Sequence, residues 1–239
     1  MKCIRKFKNL PIEFQNDTIK KYFDILNSRR ISLFIKRSLD ILVAAFCIAV
    51  AAPFIYLPAI IAIKLEDGGP VFYKQVRVGR YGKEYKMLKF RSMVLNADKL
   101  GSELTTDGDV RITKIGKFLR ITRFDELPQF FHVFTGKMTI IGTRPEVPKF
   151  YKEYNEDMRA TLLLPPGMTG AASIKYRNES VILAACDDPE RVYVEKILGE
   201  KMQINIDYVK QFSILNDFKY LFLTFACLFK DDEMLNKKD

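Results

Sequence analysis

Two adjacent carboxylates, Asp125 and Glu126, stand in the stretch Arg123-Phe124-Asp125-Glu126-Leu127-Pro128-Gln129-Phe130-Phe131. Pro128 is tolerated only in a first helical turn, and Leu127, Phe130, Phe131 and Phe134 recur at helical spacing, so the spacing predicts a helix with Asp125 at or near its N-cap. Unpaired amides and the positive end of the helix dipole would keep such an Asp ionised and would attract phosphate. An ionised carboxylate beside a phosphate site can serve as a nucleophile, but on the nonapeptide alone a capping Asp followed by an ordinary first-turn Glu is the commoner reading.

The surroundings favour anion chemistry. Of the formal charge of +10, an excess of +8 falls between Val71 and Arg123, where 13 Lys or Arg face 5 Asp or Glu. Such a block wants nucleic acid, anionic lipid or a phosphorylated ligand. Within it, Lys89 and Arg91 alternate at the end of an expected strand, and Arg111, Lys114, Lys117 and Arg120 recur every three residues over an expected Val110–Thr122 helix, making a basic stripe. Arg144, set between Thr143 and Pro145, has restricted backbone neighbours, and a fixed fork suits bidentate phosphate contact. His132 has no Ser or Cys partner in a recognisable arrangement and reads as structural. Asp107 and Asp109 lack a calcium-loop pattern and read as turn residues. Cys3, Cys47, Cys186 and Cys227 show neither zinc spacing nor a disulfide framework, which points to a reducing compartment.

Other elements must position these groups. Residues 1–35 read as a basic amphipathic surface helix or a poorly ordered arm, the stripe being Ile19, Tyr22, Phe23 and Leu26. Leu39–Ile63 is apolar apart from Asp40 and long enough to cross a bilayer, where roughly 20 helical residues suffice. Pro53 and Pro58 interrupt it, and Lys or Arg stand at both ends, which disagrees with a single crossing. A helix that enters, bends near Ala52-Pro53 and returns to the same face satisfies both observations; a kinked spanning helix is the alternative. Asp40 would lie at the interface near Lys36 and Arg37. Val71–Val78 and Glu84–Phe90 flank Gly79-Arg80-Tyr81-Gly82-Lys83 as a hairpin. A helix is expected over Val94–Leu104, a polar loop over Thr105–Asp109, a short apolar segment at Met138–Ile141, helices near 189–198 and 201–210, and an apolar run of core or interfacial helix at Tyr220–Phe229. The fold class is therefore α+β, mainly helical. Its expected parts are an arm (1–35), a membrane helix (36–65), a compact domain with a small hairpin and interfacial helices (66–230) and a polar tail (231–239).

The ordered series Lys36-Arg37-Ser38-Leu39-Asp40, Gly69-Pro70-Val71-Phe72, Lys89-Phe90-Arg91-Ser92-Met93, Arg111-Ile112-Thr113, Asp125-Glu126-Leu127-Pro128-Gln129, Arg144-Pro145-Glu146 and Pro166-Gly167-Met168-Thr169-Gly170 resembles the bacterial sugar transferases known as monotopic polyprenyl-phosphate phosphoglycosyl transferases. It covers about Lys36 to Thr224, and with one membrane segment the chain is similar to the family's minimal catalytic unit. The resemblance implies that Asp125 attacks the β-phosphate of a UDP-sugar, releases UMP and carries a phosphosugar, which a polyprenyl phosphate then takes. It implies Mg²⁺ held by Asp125 and Glu126, and substrate contacts from Lys89, Arg91, Arg111, Arg120, Arg144, Arg177 and Asn178. It also implies a bend at Ala52-Pro53 and a place on the cytoplasmic leaflet of a bacterial inner membrane, with no nucleic acid and with room for a homo-oligomer. Four positions depart from the family: Ala52 where Ser is usual, Thr143 where proline is common, Arg123 in place of a small residue, and Ala171–Arg177 in place of a Trp-Ala-Gln-Val-Asn-Gly-Arg run, so the sugar is least readable there. A membrane-tethered nucleic-acid binder would use the same basic block without needing Asp125; against a non-catalytic scaffold stands the intact Asp125-Glu126 pair.

Overall fold

A computed structural model describes residues 4–97 and 109–229. Most of the expected Val94–Leu104 helix, the Thr105–Asp109 loop apart from Asp109, Cys3 and the 231–239 tail lie outside them. Helix α1 (Asp17–Ser28) starts where the Asn16 side chain accepts the Ile19 amide at 2.8 Å, satisfying one of the free amides of the first turn. Its apolar stripe, Ile19, Tyr22, Phe23 and Leu26, does face one way, but it is covered by protein: with Leu10 and Phe14 it packs on Leu162, Leu163, Ile206, Val209 and Phe212. The N-terminal segment is thus part of the largest core and not a surface arm.

A 38-residue helical rod, Arg30–Asp67, follows, and by length and composition it is long and apolar enough to cross a membrane. It comprises α2 (Arg30–Ala51), a π-type turn (Ala52–Tyr56) and α3 (Leu57–Asp67). Pro53 has no amide to donate, and the wider π turn re-pairs the backbone there, with the Leu57 amide on the Ala52 carbonyl. One stripe of the rod, Leu33, Lys36, Asp40, Ala44, Ala51, Tyr56, Ala59 and Ile63, is buried against the rest of the chain, while Phe34, Leu42, Phe46, Phe54, Leu57, Ile61 and Leu65 are exposed. Lys36 Nζ binds the Ile141 carbonyl at 2.8 Å and Asp217 at 2.6 Å. Asp40 is not at an interface beside Lys36 and Arg37 as expected; it is buried, accepting Thr139 Oγ1 at 2.6 Å and the Ile140 amide at 3.1 Å. At the other end Asp67 pairs with Arg91, and Gly68 ends the helix with φ 70°, which a residue without Cβ adopts freely.

The expected hairpin is present as β1 (Phe72–Val78) and β2 (Glu84–Phe90), antiparallel with Phe72 opposite Phe90 and Val78 opposite Glu84. Helix α4 (Lys114–Ile121), a 3₁₀ stretch (Phe124–Gln129) and α5 (Phe130–Thr135) lie between that sheet and the rod. Strand β3 (Thr139–Ile141) pairs in parallel with β4 (Gly167–Thr169), so closely that a Cβ on Gly167 would fall 2.3 Å from the Gly142 nitrogen. Short helices α6 (Pro148–Tyr151) and α7 (Glu156–Ala160) precede β4. Helices α8 (Ala171–Lys175), α9 (Glu179–Ala184) and α10 (Pro189–Val192) follow it; then come a π stretch (Tyr193–Leu198), α11 (Gly199–Lys210) and α12 (Ile214–Phe229). The mainly helical α+β class with one small hairpin is therefore what the sequence implied.

Candidate active site

Asp125 and Glu126 lie on the 3₁₀ stretch, whose neighbours Phe124 and Leu127 pack into the cluster of Tyr56, Ala59, Ile63, Phe90 and Leu119. Anchored on both sides by apolar residues, the two carboxylates are held against β2. The expected place near the N-cap is what the structure has, on a 3₁₀ turn: Arg123, in the left-handed region at φ 58°, is the N-cap without a capping side chain, and Asp125 and Glu126 stand in the first turn.

Glu126 is the clamped partner. Its Oε1 accepts Lys89 Nζ at 2.9 Å and Arg144 Nη2 at 2.6 Å, while Arg144 Nη1 reaches the Met168 carbonyl at 3.1 Å. Burial opposes its charge, but Arg144 and Lys89 outweigh that and hold its carboxyl well below the usual range. Burial pulls the Lys89 ammonium down against the pull of Glu126, and Glu126 raises Arg144. Asp125 goes the other way: burial, then the neighbouring Glu126 charge, push it up, with Lys89, Arg120 and Arg123 pulling against them. Its carboxylate is buried yet accepts no hydrogen bond among the described residues.

The remaining expected site residues divide. Arg120 turns toward Asp125, with its Nε on Ser92 Oγ at 2.9 Å. Arg91 does not join the carboxylates: both terminal nitrogens bind Asp67 and Nε binds the Pro70 carbonyl at 2.7 Å, which ties the end of α3 to the hairpin. Arg111 precedes α4 and folds onto Asp109 and the Ala97 carbonyl, so the expected four-residue basic stripe is broken before Lys114. Arg177 Nη1 donates to the Cys227 carbonyl at 2.8 Å, and Asn178 begins α9 without capping it. His132 is structural, as expected: its Nε2 accepts the Leu88 amide at 3.0 Å, and burial lowers its pKa.

Sequence reasoning missed what stands behind Arg144. Arg77 donates to the Pro145 carbonyl at 3.1 Å and lies 3.8 Å from Glu146, the Val78 amide binds the Glu146 carbonyl at 2.8 Å, and the Tyr193 hydroxyl binds the Glu146 carboxylate. Lys201 joins Tyr193 to Glu179. The signal was the side-chain alternation of β1, which sends Arg77 to the face of Tyr85.

Among the described residues no three His, Cys, Asp or Glu gather into a metal cluster. Mg²⁺ needs no such cage; one or two carboxylates with water and substrate phosphates suffice. Asp125, whose oxygens have no donor among the described residues, with Glu126 beside it, fits that pattern.

A family model described as bacterial sugar transferase matches residues 31–231. Relatives include a UDP-N-acetylgalactosamine-undecaprenyl-phosphate N-acetylgalactosaminephosphotransferase of Aeromonas hydrophila, 36% identical over 80% of this chain and 43% of its own length. Others are the undecaprenyl-phosphate galactose phosphotransferase of Salmonella typhimurium (34%; 86% and 42%) and the UDP-glucose:undecaprenyl-phosphate glucose-1-phosphate transferase of Escherichia coli (36%; 80% and 39%). The chain spans about two fifths of the length of these relatives.

Proposed function

Because the chain belongs to the bacterial sugar transferase family, we propose that it moves a sugar 1-phosphate from a UDP-sugar to a polyprenyl phosphate through a covalent Asp125 adduct. One observation carries this reading: of two neighbouring carboxylates, half-buried Glu126 is clamped by Lys89 and Arg144, while buried Asp125 has no hydrogen-bond donor among the described residues and faces Arg120. An unclamped carboxylate among cations is what a nucleophile toward a phosphate diester anion requires.

In the first step an Asp125 carboxylate oxygen bonds to the β-phosphorus, the bond from that phosphorus to the bridging oxygen breaks, and UMP leaves with that oxygen. In the second, a phosphate oxygen of the polyprenyl phosphate attacks the same phosphorus and the Asp125 carboxylate is released. Mg²⁺, held by Asp125 and Glu126, would supply charge neutralisation at the diphosphate. Arg144, aimed by Pro145 and the Arg77–Glu146 support, offers its fork to the phosphoryl oxygens, and Arg120 offers a second cation. Arg91, Arg111 and Arg177 act in this reading through the segments they brace, at Asp67, Asp109 and the Cys227 carbonyl.

The rod's topology follows from the same reading. Its two ends bind the same body, Lys36 and Asp40 on the β3 segment and Asp67 on Arg91, and its exposed residues between Leu39 and Ile61 are all apolar. A straight crossing would separate those ends by the membrane thickness, so a re-entrant helix bent at Ala52-Pro53 in the cytoplasmic leaflet of the inner membrane suits both contacts. Exposed Phe118 and Ile121 of α4, Phe131 and Phe134 of α5, and Phe218, Phe222 and Phe225 of α12 extend the apolar surface. The relatives' names carry three different sugars at similar identity, so the donor is left to a panel.

The test incubates the full chain in nanodiscs with UDP-sugars and Mg²⁺, measures UMP, and digests a quenched mixture for mass spectrometry. A phosphosugar on the Asp125 peptide is expected, with no UMP from Asp125→Asn. Turnover by that variant would overturn the reading. Cysteine labels before Lys36 and after Lys64 are expected to react from one side; opposite-side labelling would mean a spanning helix.

A further inference from the structure

Glu126, Gln129 and His132 stand three residues apart, and β2 runs beside them with Lys89, Met87 and Tyr85 on one face. The crossing is pinned at both ends: Lys89 on Glu126 at 2.9 Å, and at the other end the Leu88 amide on His132 at 3.0 Å, with the Tyr85 ring edge-on to His132 at 5.5 Å. Gln129 lies between these two fastenings and is 1% exposed. Neither its amide nitrogen nor its amide oxygen has a hydrogen-bond partner among the described residues.

An amide buried in that state is costly, and native folds seldom keep one. A hydrocarbon side chain would fill the space better, so the amide needs a partner in some other state of the protein. The 3₁₀ geometry names it: side chains three residues apart eclipse one another, with a rise of about 6 Å over three residues. That is within the reach of a glutamine, and Gln129 stands on the same side of the turn as Glu126, one turn further on. Glu126 is at present shared between Lys89 and Arg144, and of those two Arg144 is the more open to solvent, its side chain 41% exposed against 19% for Lys89. It is the cation that an incoming diphosphate reaches first.

We propose that Gln129 is a positioning residue for Glu126: when the diphosphate of a UDP-sugar draws Arg144 away, the Gln129 amide N–H takes the vacated place on the Glu126 carboxylate and keeps it aimed at the site beside Asp125. No bond is made or broken beyond hydrogen bonds, and no group outside this chain and its substrate is needed. The inference rests on the proposed reaction.

The test is Gln129→Met, which keeps length and removes both polar atoms. Without ligands the variant is expected to melt above wild type, because the unpaired amide is gone. Its kcat is expected to fall roughly tenfold or more, the value of one hydrogen bond to a buried charge, with KM for the UDP-sugar within about threefold. Mg²⁺ with UDP is expected to raise its melting temperature less than it raises that of wild type. Wild-type kcat together with a wild-type ligand shift would overturn the proposal. So would a kcat and melting temperature that fall together, which would make Gln129 a packing residue. Absence of UMP from wild type with every UDP-sugar would sink the reaction instead, and the ligand shift would still decide the role of Gln129.

Discussion

Replacing Arg144 by Ala is the perturbation that separates binding from the support of Glu126. The guanidinium makes two contacts to Glu126, at 2.6 and 3.5 Å, and one to the Met168 carbonyl at 3.1 Å. Removing one member of a buried ion pair costs about 3–5 kcal/mol and an exposed pair about 0–1 kcal/mol. Glu126 is 17% exposed and Arg144 41%, and Lys89 stays behind as a partner, so a loss near the middle, about 2 kcal/mol, is expected. At about 2–4 °C per kcal/mol for a chain of this size, the melting temperature should drop by roughly 4–8 °C. Turnover should fall further than that, by about 10²–10³, the usual effect of deleting a preorganised donor to developing charge. Arg144→Lys keeps charge without the fork, so it should recover most of the stability and little of the rate. Thermal melts and UMP release on the same preparations check both numbers. Arg144→Ala with UMP release within about threefold of wild type would refute the assignment of this fork to the phosphoryl oxygens.

Three further outcomes follow from the geometry. Arg91→Lys loses the two-pronged grip on Asp67, whose carboxyl Arg91 draws down to about 2; the variant should melt lower yet keep KM for the UDP-sugar within about twofold, and a large rise in KM would return Arg91 to the substrate. For His132, burial lowers the folded pKa below the ordinary 6.5, so the unfolded chain binds the extra proton first; stability is full above that value and is lost as pH falls through it. The melting temperature should decline below about pH 6.5, and His132→Gln, which can still accept the Leu88 amide, should flatten that limb; an unchanged limb would place the titration elsewhere. Phe14→Ala empties a fully buried position among Ile19, Leu163 and Phe212 and should cost about 3–5 kcal/mol; an unchanged melt would restore the N-terminal segment to the status of an arm.

The hairpin was legible because Gly79 and Gly82 bracket its turn and the flanking residues alternate, and strands Phe72–Val78 and Glu84–Phe90 are there. Lys89 and Arg144 were legible as cations, and both meet Glu126. Arg91 was misplaced by the same alternation that found Lys89: β2 ends at Phe90, and the next residue turns away toward Asp67. Counting every third residue from Arg111 ran across Thr113, whose hydroxyl accepts the Gly116 amide at 2.9 Å and starts α4, so Arg111 was never on the stripe. The stripe of α1 was real, but an apolar face does not say whether lipid or protein covers it, and here long-range partners near Leu162 and Ile206 decide. Arg77, Tyr193 and Lys201 escaped notice because each reaches its partner through the fold and not along the chain.

The carboxylates themselves carry the sharpest divergence. The terminus of the 3₁₀ stretch acts on both charges alike, Asp125 and Glu126 being neighbours in its first turn. The cations packed against that turn split them. Glu126 takes the two cations and is held well below its usual range, while burial, and after it the settled Glu126 charge, drive Asp125 upward. A raised, donor-free carboxylate is a stronger base than a capped one and loses less hydrogen bonding when it bonds to phosphorus. The division of the pair into a clamped holder and an unclamped attacker therefore follows from which residue Lys89 and Arg144 can reach, and moving that clamp, as with Arg144→Ala, should relax Asp125 as well as Glu126.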